Sequence, residues 1–136
     1  MTRVFVLVGL AALLAGSTWA QQPAPVAPRF TGKTEAMDGK DLSVARRRFE
    51  PGARTAWHSH DRGQLLMVEE GRMRSQQRGK PTKDFGVGES EYTAPNVVHW
   101  HGAPQSATLQ QIAFSFGMTN WAEKVTDAQY AAAAKK

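Results

Sequence analysis

The sequence predicts an all-β domain, a sandwich or barrel of antiparallel strands followed by a short C-terminal helix. Three observations point there. Turn residues punctuate the chain at Asp38-Gly39, Glu50-Pro51-Gly52, Glu70-Gly71, Gly79-Lys80-Pro81, Gly86-Val87-Gly88 and Ala94-Pro95-Asn96. Between them lie short apolar or β-branched runs, giving candidate strands near 42–49, 54–60, 64–69, 72–78, 90–93, 97–102 and 107–116. The tail then changes character: Trp121 to Lys136, with Ala131 to Ala134, favours helix, and Thr126-Asp127 is a start signal.

Taken in order, residues 1–20 read as a secretory signal. Arg3 supplies a positive start, Val4 to Ala15 an apolar run, and Thr18-Trp19-Ala20 a small-residue cleavage site. The run is too short to span a bilayer comfortably, where about 20 apolar residues are needed, and the alternative to cleavage is a retained anchor. The expected product is a periplasmic or secreted domain with no stable membrane anchor. Residues 21–39 form a leader, extended and poorly ordered where Gln, Pro and Ala dominate. Residues 40–118 hold the strands and 119–136 the helical tail. The mature chain would have about 116 residues, the size of one domain. It has no cysteine, so an exported domain this small relies on its apolar core or on self-association. The formal charge of +5 loses one unit with Arg3. No stacking aromatics interleave with a basic stripe, so nucleic acid is not an expected partner.

The chemistry lies in two stretches that contain all four histidines. One runs from Gly52 through His58-Ser59-His60 to Gln64, and the other is Val98-His99-Trp100-His101. On a strand, His58 and His60 project to one face, about 7 Å apart along the backbone. Two imidazoles, a third from a distant strand and the Gln64 oxygen make a shell for a divalent transition metal. Trp57 and Trp100 then point to the opposite face, into packing layers. Ile112, Phe114 and Phe116 alternate as core or dimer-interface residues.

These stretches resemble the two motifs of the cupin superfamily. The first is Gly, five residues, His-x-His, three or four residues, Glu, six residues, Gly. Gly52, His58, His60 and Gly71 fall in register with it, and Gln64 takes the Glu place. In the second motif Gly88 and His99 fit, with Ala94 in the Pro place, Asn96 in the Gly place and Ala103 in the Asn place. Asn suits a turn glycine's position because it tolerates the left-handed conformation. A small single-domain branch is more similar still, through Pro51 to His58, Gly63-Gln64, His99 to Ala103 and Trp121 to Tyr130. That branch includes bacterial manganese-dependent hydroxynitrile lyases.

The resemblance implies a jelly-roll cupin β-barrel with His58, His60, Gln64 and His99 on a metal, and a homodimer or homotetramer. Manganese follows from the resemblance; iron, zinc, nickel, cobalt and copper also suit the donors, and copper and zinc bind such sites more tightly. Gln64 is neutral, so the cation keeps its full charge and favours an anionic ligand. His101 faces the same side as His99, either as the catalytic base or as a residue that orients a ligand. The lyases carry a further histidine where this chain has Gln111, which cannot act as a base. Gln111 is then a candidate substrate-binding residue or a hydrogen-bonded interior amide. Arg47 either lines the barrel and clamps a carboxylate or lies on a solvated edge. Three functions share this shell: a lyase acting on a small hydroxylated or carbonyl substrate, a dioxygenase, and a non-catalytic cupin that binds a metal or small molecule.

Overall fold

A computed structural model describes residues 30–132. The expected signal, most of the leader and residues 133–136 lie outside them. Residues 30–36 belong to a separate unit and are exposed, without helix or strand.

From residue 37 onward the chain builds two antiparallel sheets. The elements are β1 (Leu42–Phe49), β2 (His58–His60), β3 (Gln64–Gly71), β4 (Met73–Gln77), β5 (Lys83–Phe85), β6 (Ser90–Thr93), β7 (His99–Gly102), β8 (Leu109–Phe116), β9 (Thr119–Trp121) and α1 (Asp127–Ala131). One sheet has the order β1-β8-β3-β6, the other β5-β4-β7-β2-β9. This is the expected all-β barrel with a short C-terminal helix.

Register explains where the core and the site sit. Phe49 pairs with Leu109, Arg47 with Gln111, Ala45 with Ala113 and Ser43 with Ser115. On the other side of β8, Leu66 pairs with Ala113 and Gln64 with Ser115. The inward face is therefore apolar at one end and polar at the other. Phe49, Leu66, Val68, Met73, Ala103, Leu109 and Ala113 form the core at the apolar end. Burying each large apolar side chain there contributes about 1.5–3 kcal/mol. The polar row of Gln64, Thr93 and Ser115 is also buried.

Two glycines permit the close approaches that shape the barrel. Gly71 has φ +75°, and a Cβ there would lie 1.9 Å from the Thr108 carbonyl oxygen. At Gly102 a Cβ would meet the Ala53 carbonyl oxygen at 2.3 Å. Neither neighbour is a side chain that can swing away. Asn96 sits at φ 61°, as its place in the second motif requires, and donates its N–H to the His60 carbonyl at 2.8 Å.

Several boundaries differ from the sequence reading. Residues 54–57 do not join β2: Arg54 makes an isolated bridge to Gly102, Thr55 bonds to His101 and Trp57 to Glu123, so no one ladder continues. Strand β5 was not expected, because three residues following Pro81 carry no alternation to read. The largest difference is the tail. Helix was expected from Trp121, but Trp121 pairs with His58 in β9, and Ala122 and Glu123 bond to Trp57. The sheet claims their backbone groups, and the helix begins only at Asp127. There Thr126 and Gln129 form a reciprocal cap. Trp57, Trp100, Val125 and Tyr130 pack as a second cluster on the outer side of the five-stranded sheet. Both tryptophans thus point away from the histidines, and Tyr130 donates its hydroxyl to the Ala103 carbonyl at 2.7 Å.

Candidate metal centre

The inner face of the five-stranded sheet brings the histidines together. His58 pairs with His99 across β2 and β7, and with Trp121 across β2 and β9. One ring nitrogen from each of His58, His60 and His99 falls in a group whose members lie within 4.8 Å of one another. Gln64 reaches them from β3 in the facing sheet, its Oε1 2.8 Å from His99 Nε2. All four residues are buried.

The second nitrogen of each ring decides which one can bind a cation. His58 Nδ1 lies 3.0 Å from the Ala56 carbonyl, and His99 Nδ1 lies 3.1 Å from the Val97 carbonyl. A carbonyl only accepts, so each Nδ1 carries the proton and Nε2 carries a lone pair. His60 Nδ1 meets the Thr119 hydroxyl at 3.1 Å, while its Nε2 is buried with no partner. Gln64 donates its Nε2–H to Ser115 Oγ at 2.9 Å, which points Oε1 at His99. Two acceptors, His99 Nε2 and Gln64 Oε1, therefore face each other. In this amide orientation such a pair repels unless a cation or proton stands between them. Burial disfavours the proton: His60 and His99 are each lowered to about 4, chiefly by desolvation. His58 is lowered for the same reason. Neutral imidazoles, an orphaned Nε2 and an aimed amide oxygen fit a divalent metal.

The depressed values predict a pH dependence for the metal-free protein. In the unfolded chain these histidines titrate near 6.5. Between about 6.5 and 4 the unfolded state binds more protons, so stability falls as pH falls through that window. The expected loss is on the order of a few kcal/mol, read as a falling urea midpoint. A midpoint unchanged between pH 7 and pH 4.5 would contradict the buried neutral rings.

The remaining candidates line the same space. A cavity of about 190 Å³ is bounded by His58, His60, Gln64, His101, Gln111 and Arg47, with Ala45, Ala113, Thr55, Ser115, Thr119 and Trp121 completing it. His101 is buried, and its pKa is pushed well below the usual histidine value, first by desolvation. Gln111 donates Nε2–H to His101 Nδ1 at 3.1 Å, which places the ring proton on Nε2. Arg47 is exposed but stands on the cavity wall. It therefore borders the cavity while remaining open to solvent.

Sequence reasoning missed Thr119 and Trp121. Trp121 packs against His58, ring centroids 4.8 Å apart and planes tilted by 37°, while 65% exposed, so it forms part of the cavity mouth. Thr119 and Trp121 share a face of β9 as His58 and His60 share one of β2, but that follows from pairing with β2 and not from any local pattern.

The architecture and this histidine set define the class. The sequence profile of the cupin domain family matches residues 45–113, and the chain belongs to that family. It is 36% identical over 100 residues to an (R)-mandelonitrile lyase from Granulicella tundricola, covering 71% of this chain and 76% of the relative. A solved cupin-like protein from Thermotoga maritima superposes with a TM-score of 0.65 at 42% identity, covering 68% of this chain and 73% of the other. An uncharacterized conserved protein with a double-stranded β-helix domain from Klebsiella pneumoniae shares the fold, with a TM-score of 0.55 at 22% identity over 62% of this chain and 76% of the other.

Proposed function

We propose that this cupin is a metal-dependent lyase acting on small hydroxylated or carbonyl compounds, with manganese as its metal. The observation that carries the reading is the acceptor pair His99 Nε2 and Gln64 Oε1, 2.8 Å apart beside the orphaned His60 Nε2. The similarity to a mandelonitrile lyase supports the reaction class. His58, His60, Gln64 and His99 would hold a divalent metal, which would supply Lewis acidity toward a substrate oxygen, its charge uncancelled by the neutral amide.

The chain's own groups do the rest. Thr119 holds the ring of His60, and Ser115 holds the amide of Gln64. Trp121 narrows the mouth, and buried Ala113 forms an apolar wall. His101 handles the proton. With Nδ1 occupied by Gln111, it offers a proton from Nε2. Gln111 thereby fixes the tautomer in which His101 donates.

Cyanide release from aromatic cyanohydrins, lost on chelation and restored by manganese, is the expected result. No release from any of several cyanohydrins would sink the hydroxynitrile assignment. Oxygen consumption coupled to substrate loss would identify an oxygenase instead, and binding without turnover a carrier.

Self-association is part of the same proposal. Val44, Phe114, Leu65 and Tyr92 form one row across the outward face of the four-stranded sheet. Val44 and Tyr92 are exposed, and a contiguous apolar row of this kind suits a second copy of the chain. Light scattering should give a dimer or tetramer mass, reduced to that of a single chain by Phe114→Arg. A single-chain mass for the unaltered protein would refute this.

A further inference from the structure

We infer that the cavity is selective for small hydroxycarboxylates, the carboxylate held by Arg47 at the mouth and the hydroxyl by the Gln111 carbonyl inside. The claim that such a ligand is a substrate rests on the function proposed above; the binding selectivity rests on Arg47 and Gln111.

Three consecutive arginines on β1 have different surroundings. Arg46 bonds to Glu69 at 2.7 Å, and Arg48 to Glu50 at 3.2 Å. Both lie on the outward face. Arg47 alternates inward, pairs in register with Gln111, and has no carboxylate partner among the described residues. No Asp or Glu lines the cavity either. A guanidinium at the mouth of an acid-free pocket attracts anions, and its planar fork matches a carboxylate.

Gln111 adds a second requirement. It is 1% exposed, it spends Nε2–H on His101, and its Oε1 is buried with no partner. A buried carbonyl left without a donor is costly. A carboxylate oxygen cannot satisfy it, whereas a hydroxyl can. The two residues are register partners on β1 and β8, so one ligand can span them. Size sets the upper limit. The cavity measures about 190 Å³, against about 150 Å³ for one that takes benzene. That admits a ring or short chain carrying both groups.

The test uses the full chain loaded with metal and three probes: mandelate, its neutral amide mandelamide, and phenylacetate, which lacks the hydroxyl. Calorimetry should rank mandelate above both others. Arg47→Gln should weaken mandelate and phenylacetate by about tenfold at low salt and mandelamide by less than about twofold, since an exposed charge is screened. Arg47→Lys should recover part of the loss. Equal affinity of the unaltered protein for mandelate and mandelamide would overturn the inference, as would an equal loss for both in Arg47→Gln, or no binding of any probe. Metal per chain is measured on the same samples. A metal-free unaltered protein would overturn the proposed metal centre, yet the charged-against-neutral comparison would still judge Arg47.

Discussion

Replacing His99 with alanine is expected to weaken metal binding by more than about a hundredfold, the upper end of what even the loss of a ligand's supporting partner costs. His99 Nε2 is one of three imidazole nitrogens in the group, and it lies 2.8 Å from the Gln64 oxygen. Elemental analysis after purification should therefore fall from about one ion per chain to near none. Undiminished stoichiometry in both His99→Ala and His58→Ala would refute the centre. A second measurement separates metal loss from unfolding. In the metal-free state the variant removes one member of a repelling acceptor pair, which offsets part of the cost of the lost ring. The metal-free variant should thus unfold near the midpoint of the metal-free parent, while added metal stabilises only the parent.

On the proposed function, in which its side chain moves a proton and is not a ligand, His101→Ala is expected to lower kcat by about 10²–10⁴ while leaving bound metal unchanged. Gln111→Leu tests the coupling between the two residues. Without the amide, nothing sets the His101 tautomer, so the pH dependence of kcat should shift while metal content stays constant. An unaltered rate in His101→Ala would remove it from the chemistry. A rate loss accompanied by metal loss would make it a structural support of the centre.

Alternation made much of the centre legible. His58 and His60 share a face because they are two residues apart, and the same holds for His99 and His101. Strands 42–49 and 90–93 match the observed β1 and β6, where turn residues flank clean runs. Thr126 was readable as a cap because its side chain acts on its own neighbours. Strand β9 was not readable. It exists because the backbone of residues 119–123 pairs with that of residues 57–60, and pairing partners leave no local mark.

The sequence by itself determined the fold class, the four candidate donors and the period that groups them, since each depends on residue type and near-neighbour spacing. Tertiary structure alone decided which face of β1 is inside, and so that Arg47 lines the cavity. It also decided that Trp121 guards the mouth and that Gln111 holds His101. Strand alternation offers two faces and favours neither. Only the sheet that packs opposite, built from residues far along the chain, makes one of them the interior.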